Sequence, residues 1–208
     1  MPTFQPFYNF GYLQHKFTDQ ELKPVISEID EISKDFSKAV PANSQLVGNI
    51  RKEYNLTKSK EYLKKLLFPF IDLYENNYNY FKTVEVLTSN LPFTLDSLWV
   101  NFQNKHEFNP MHNHSGVMSF VIWIKIPYSR ISESKVAPGY ASTRNCSGSF
   151  EFQFTNILGQ IGGQLIDLDQ TYENTMVMFP SRLNHCVYPF FSSDEYRISV
   201  SGNFYLKS

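Results

Sequence analysis

The segment Asn109-Pro110-Met111-His112-Asn113-His114-Ser115-Gly116 sets two imidazoles one residue apart. Side chains on an extended backbone alternate faces, so His112 and His114 point to the same side. Imidazole is a common ligand for iron, zinc and copper. A pair held this way can grip a metal if a third ligand arrives from elsewhere. His185, in Phe179-Pro180-Ser181-Arg182-Leu183-Asn184-His185, is the candidate third ligand. Farther along, Arg197-Ile198-Ser199 places a guanidinium and a hydroxyl on one strand face. An arginine fork matches a carboxylate through two parallel hydrogen bonds, and Ser199 can donate to the same oxygens. Ile198 and Val200 point the other way, into a core, which turns Arg197 toward a polar interior. That placement is expensive unless an anion sits there. The pattern suits a metal that carries a bidentate acid. The plainer alternatives are turn histidines without a metal, and an arginine at an exposed strand edge or paired with Asp194 or Glu195.

These residues need strands to hold them. Runs of strand character fall at 97–103, 117–126, 149–154, 161–167, 175–179, 186–190 and 196–205. Short strands in close succession, with turn signals and no helical period between them, imply a sandwich or barrel of antiparallel sheets. The two histidines of the first pair form a turn between strands, with His185 just past another strand end. Trp123 belongs to a nearly continuous apolar run and reads as core. Cys186, beside His185, points away from the metal by alternation and reads as a small buried residue. Between the second and third runs, 128–148 is a polar stretch with Arg130, Lys135 and Arg144 opposed by Glu133 alone. Its length and lack of an apolar period mark a loop that is either functional or disordered; as a functional loop it is the natural lid, with the aromatic N-terminus as a rim.

The first third is different. Residues 1–17 are aromatic and irregular. Thr18-Asp19-Gln20-Glu21 is a capping box, followed by an apolar stripe of Leu22, Val25, Ile26, Ile29 and Ile32 at helical spacing. Pro24 predicts a bend or a start displaced past it. A second helix is predicted from about Ser59, with Leu63, Leu66, Leu67, Phe70, Leu73 and Tyr74 on one side and a kink before Pro69. Neither helix carries a catalytic constellation, so both read as layers covering one face of a sheet. The resulting expectation is a mainly β protein with N-terminal helices (α+β). It is a single domain over 1–208, with a helical support region at 1–95 and a catalytic β core at 96–208.

Composition narrows the function classes. The 208 residues include 19 Phe, 13 Tyr and 2 Trp, a supply that favours a β-rich core. With 19 basic and 20 acidic residues, the chain has no global electrostatic footprint for nucleic acid or an anionic membrane. Two cysteines, Cys146 and Cys186, make no disulfide framework, which points to a reducing cytoplasm. No apolar run reaches membrane-spanning length, and Met1 to Gln14 lacks the pattern of a signal peptide.

The order His112-x-His114, Gly148-Ser149-Phe150-Glu151-Phe152, Met178-Phe179-Pro180-Ser181 with His185, then Arg197-x-Ser199 with Asn203-Phe204 resembles the iron(II)/2-oxoglutarate-dependent oxygenase superfamily. Within it, the chain is most similar to a prolyl-hydroxylase-like group found in marine phages and bacteria. The resemblance covers about residues 96–206. It implies a double-stranded β-helix, or jelly roll, flanked by the two helices, with Fe(II) at its open mouth. It further implies His112 and His185 as iron ligands, and Arg197 with Ser199 holding the distal carboxylate of 2-oxoglutarate. Asn101 and Gln103, which share one strand face, would hydrogen-bond this cosubstrate; the plain alternative is a pair of outward polar positions on a half-exposed strand. The activity implied is a dioxygenase that couples decarboxylation of 2-oxoglutarate to succinate with oxidation of a protein, nucleotide or small-molecule substrate. One departure stands out: the superfamily pattern is His-x-Asp or His-x-Glu, and here His114 takes the carboxylate position. Glu107 and Glu151 lack the spacing to replace it. A three-histidine site also suits zinc and activated water, and a jelly-roll module without chemistry is the third reading.

Overall fold

The computed structural model describes residues 3, 5, 7–84 and 92–207. Part of the aromatic N-terminal rim (1, 2, 4 and 6) and part of the 1–95 region (85–91) lie outside the described residues. Among the described residues, ten strands form two antiparallel sheets. In chain order they are β1 (Leu13–Lys16), β2 (Glu53–Asn55), β3 (Phe93–Gln103), β4 (Asn109–His112), β5 (Met118–Lys125), β6 (Phe150–Thr155), β7 (Ile161–Ile166), β8 (Thr175–Pro180), β9 (Asn184–Val187) and β10 (Arg197–Leu206). The larger sheet runs β1-β8-β5-β10-β3-β2 and the smaller β4-β9-β6-β7. Strands β3 to β10 alone make two facing sheets of four, the jelly roll, and β1 and β2 extend one of them.

The helices are α1 (Asp19–Lys34), α2 (Lys60–Tyr78), the short α3 (Tyr80–Thr83) and α4 (Arg130–Val136). At the start of α1 the capping box is closed: Glu21 N donates to Thr18 Oγ1 and Thr18 N donates to Glu21 Oε2. The helix therefore begins ahead of Pro24, and the displaced start is corrected. A missing N–H at the sixth helical residue costs one bond, while the box and the stripe behind it hold the turn. On α2 the buried positions are Leu63, Leu67, Ile71 and Tyr74, whereas Leu73 is exposed, so Ile71 takes the core place expected of Leu73. Steps of four, four and three residues keep one helical face. The buried Glu28 of α1 ties the helices together, accepting from the backbone N–H groups of Thr57, Lys58 and Ser59 at the entry to α2.

One core joins the helices to the outer face of the larger sheet. It packs Leu22, Val25, Leu63 and Leu67 with Val100, Ile122, Met176 and Val200. A second core, with Trp123, Phe150, Phe152 and Phe179, lies between the sheets. Alternation along β10 serves both: Val200 faces the helices, while Arg197 and Ser199 face the space between the sheets.

Two sequence expectations change here. The first third is not purely helical, since β1 and β2 edge the larger sheet. The polar stretch 128–148 is not a plain loop: Ser129 caps α4, and the segment is pinned from inside. The buried Glu133 accepts from the backbone N–H of Phe191 (2.8 Å) and Ser192 (3.0 Å) and from the Ser147 hydroxyl.

Candidate metal and cosubstrate site

His112 and His185 are direct partners in the β4–β9 ladder, and their ring centroids lie 4.3 Å apart. Both are strand residues, whereas the sequence alone suggests a turn for His112 and a place just past a strand end for His185. Two residues on, the His114 backbone N–H donates to the Ser181 carbonyl at 2.8 Å, which docks the turn after β4 against the end of β8. Gly116 completes that turn with φ +102°, and a Cβ there would come within 2.8 Å of the Phe204 carbonyl. The His114 ring then sits 5.0 Å from each of the other two. Ligand atoms of all three histidines lie within 4.8 Å of one another, a spacing that one metal ion can bridge.

The tautomers suit this. His112 Nδ1 lies 2.8 Å from the Pro110 carbonyl and His185 Nδ1 lies 2.9 Å from the Leu183 carbonyl. A carbonyl can only accept, so each Nδ1 carries the proton and each Nε2 keeps its lone pair. Burial holds all three rings neutral. It lowers His112, pushes His114 down to about 4 with help from His112, and takes His185 well below the usual imidazole range. Neutral imidazole is the ligating form. His185 is packed in place by Phe150, stacked at 5.4 Å, and Phe179, edge-on at 4.9 Å. The other two histidines stand apart from the site: His15 packs on Phe17 and Phe70, and His106 packs on Phe191.

The same narrow cavity, about 40 Å³, is lined by the three histidines and by Asn101, Gln103, Trp123, Arg197 and Ser199. All seven residues singled out by spacing are brought together, and Trp123 is both core and wall. Arg197 is 2% exposed. Its expected alternatives fall away: Asp194 pairs with Lys105 and Glu195 with Lys125. Among the described residues the guanidinium has no carboxylate partner. Its N–H groups go to neutral oxygens. Nε and Nη2 both donate to Gln103 Oε1 (3.2 and 2.7 Å), Nη1 to Tyr128 Oη (2.6 Å) and the Gly148 carbonyl (2.7 Å), and Nη2 to the Tyr188 carbonyl (3.0 Å). Asn101 Nδ2 donates to Ser199 Oγ at 3.2 Å.

Tyr128, Gly148 and Tyr188 were not found from sequence, because nothing local marks a carbonyl or phenol as a partner for a residue far along the chain. Gly148 offers a faint signal in hindsight: φ is +71° there, and a Cβ would meet the Tyr128 ring at 2.8 Å. The missing carboxylate ligand is not supplied from elsewhere. Glu151 stands beside Cys186, on the opposite face of the ladder from His185, where Arg144 and Tyr188 hold it. Glu107 accepts from the backbone of Asn104.

The family model described as "Putative 2OG-Fe(II) oxygenase" matches residues 97–203, just over half of the chain. The chain belongs to this family. Its members are enzymes that use Fe(II) and 2-oxoglutarate, with molecular oxygen as the second cosubstrate. No curated protein matches the sequence. Among solved structures, the chain is similar to a Pseudomonas putida prolyl-4-hydroxylase, at 13% identity and TM-score 0.57 over 96% of this chain and 94% of that one. It is also similar to the non-heme alpha ketoglutarate dependent epimerase SnoN from nogalamycin biosynthesis, at 12% identity and TM-score 0.57, over 94% and 76%. At these identities the likeness establishes the oxygenase jelly roll. No helix among the described residues is long and apolar enough to cross a membrane.

The site fits the family's groups in chemistry, and in size with one adjustment. Three neutral imidazole nitrogens converge on one point, and a buried cation without a counter-charge lies in the same cavity. The cavity, about 40 Å³, holds on the order of three waters. A five-carbon diacid therefore needs a side chain to move. The Gln103 amide is the obvious one, since its oxygen covers the Nε–Nη2 edge of Arg197 that a carboxylate would take.

Proposed function

We propose that His112, His114 and His185 hold Fe(II), that Arg197 and Ser199 receive the distal carboxylate of 2-oxoglutarate, and that the pair oxidises a substrate entering from the histidine end. When bound, iron and 2-oxoglutarate supply the oxidising power: oxygen and 2-oxoglutarate are consumed, succinate and carbon dioxide leave, and an oxygen atom goes to the substrate. The chain's own residues do the rest. Backbone carbonyls fix two histidine tautomers, and Phe150 and Phe179 keep water from the back of His185. Asn101 orients the Ser199 hydroxyl. Gln103 yields its edge of the guanidinium to the acid. In this reading 1–208 acts as one domain, with 96–208 as the catalytic core and 1–95 as its support.

One observation carries the proposal. Ligand atoms of three histidines within 4.8 Å of one another share a cavity with a buried guanidinium that lacks a carboxylate partner. The test is anaerobic titration of the Fe(II) protein with 2-oxoglutarate, followed by the visible metal-to-ligand charge-transfer band. The band should appear at one equivalent and weaken sharply in Arg197→Ala. One equivalent of zinc in protein purified without added metal, with no response to 2-oxoglutarate, would instead support a three-histidine hydrolytic site.

A further inference from the structure

On the far side of His114 from Arg197 lies a second cavity, of about 170 Å³. Its lining shares Trp99 and His114 with the metal cavity, so the two spaces meet at these rings. The alternation that carries Arg197, Ser199 and Ser201 along the first cavity continues with Asn203 and Tyr205 along the second. Ser97 stands opposite Asn203 in the ladder. Asn113 and Ser115, either side of His114, make a second wall. Gln45 and Asn55 make a third.

Among the described residues, no aspartate, glutamate, lysine or arginine lines this space. Apart from the His114 imidazole and the Trp99 indole, its side-chain polar groups are amides and hydroxyls, and three of the amides are fixed at one end. Asn203 accepts from Ser119 through Oδ1, Asn113 donates to Asn184 through Nδ2, and Asn55 donates to the Pro41 carbonyl through Nδ2. Asn203 is therefore left with its Nδ2 donor, and Asn113 and Asn55 with their Oδ1 acceptors, none with a protein partner among the described residues. A charged ligand entering such a cavity would find no counter-charge among the described residues. An apolar ligand would leave the amides unanswered. The polar groups come from three walls, so they match a ring whose hydroxyls radiate on all sides rather than a planar base that bonds only in its own plane.

We propose that this cavity receives the reacting group of the prime substrate, and that this group is an uncharged polyhydroxylated ring, a neutral monosaccharide unit. The inference rests on the three-histidine reading above, because only a metal at His114 makes the neighbouring space a substrate site.

The test uses the full chain loaded with Co(II) under 2-oxoglutarate without oxygen. Calorimetric titration is run with neutral hexoses, pentoses and their methyl glycosides, against uronic acids, hexosamines, sugar phosphates, nucleosides and a prolyl peptide. A neutral sugar should bind, with its charged congeners at least tenfold weaker. Asn203→Leu and the exposed-loop variant Gln45→Leu should each weaken it about tenfold, the loss expected for one hydrogen bond, with the Co(II) absorption spectrum unchanged. Binding of no neutral sugar, equal binding of charged congeners, or preference for the nucleoside or peptide overturns the inference. Failure of Co(II) to bind overturns the three-histidine reading instead, so the two outcomes are distinct.

Discussion

Glu53 on β2 stands directly opposite Asn101 on β3, and each keeps one buried oxygen, Oε1 and Oδ1, without a hydrogen-bond partner among the described residues. Burial, and then the charge of Glu107, push the Glu53 carboxyl up from 4.5 to about 7. The folded protein thus binds this proton more tightly than the unfolded chain. The contribution to stability is complete below about pH 4.5 and is lost as pH rises through 7. Glu53→Gln removes the ionisation and adds an N–H donor opposite Asn101. We expect it to stabilise the protein at pH 8 by on the order of 3 kcal/mol and to change little at pH 4. Urea midpoints of both proteins at the two pH values check this, and an unaltered difference between them would count against a buried neutral Glu53.

The metal site makes a separate demand on each ring. His112→Ala, His114→Ala and His185→Ala should each lower Co(II) affinity by more than about 100-fold, beyond the loss usual for an outer-shell partner. Competition against a chromophoric chelator measures it. Were His114→Ala to bind like the parent, His114 would be a wall residue and the site a two-histidine one.

Much of this site was legible in the sequence because it is written in a period of two. His-x-His and Arg-x-Ser each name one strand face, and the β10 ladder places Arg197 and Ser199 opposite Gln103 and Asn101. What stayed hidden was set by distance along the chain. Strands β1 and β2 are four and three residues long, with Gln14, His15 and Lys16 in one and Glu53 and Asn55 in the other, too short and polar for an apolar period to show. Helix α4 has only seven residues and no apolar face, so its evidence is the Ser129 cap and the burial of Glu133. The walls of the second cavity come from segment 42–47, β2, β3, the turn after β4 and β10, and no local pattern announces their meeting.

Gln103 poses the sharpest question about the cosubstrate. Its amide oxygen takes two N–H groups of Arg197, the edge that a carboxylate would take. Gln103→Ala should open that edge and enlarge the cavity, so 2-oxoglutarate should bind at least as tightly as in the parent. Arg197→Ala should abolish binding and, by stranding the Gln103 amide oxygen and the Tyr188 carbonyl, destabilise the fold by roughly 2 kcal/mol or more. Calorimetry with 2-oxoglutarate and the thermal midpoint separate the two effects. A large loss of affinity in Gln103→Ala would mean that the amide itself grips the acid.

The segment 128–148 tests whether a polar stretch beside a site must be a moving lid. Tyr128 and Gly148, near its two ends, both accept from Arg197, and Glu133 in its middle takes two backbone N–H groups and a hydroxyl from elsewhere. Such a segment backs Arg197 as a tied support rather than covering the cavity as a lid. Glu133→Ala removes the central tie and leaves the Phe191 and Ser192 amides without it, at a cost of about 3 kcal/mol, since hydrogen bonds to a charged group are among the stronger ones. Limited proteolysis should then cut within 128–148 many times faster than in the parent, while Co(II) affinity at the distant histidines stays the same. Equal cleavage in the two proteins would show that the segment opens readily even with Glu133 in place, and the lid expected from the sequence would be restored.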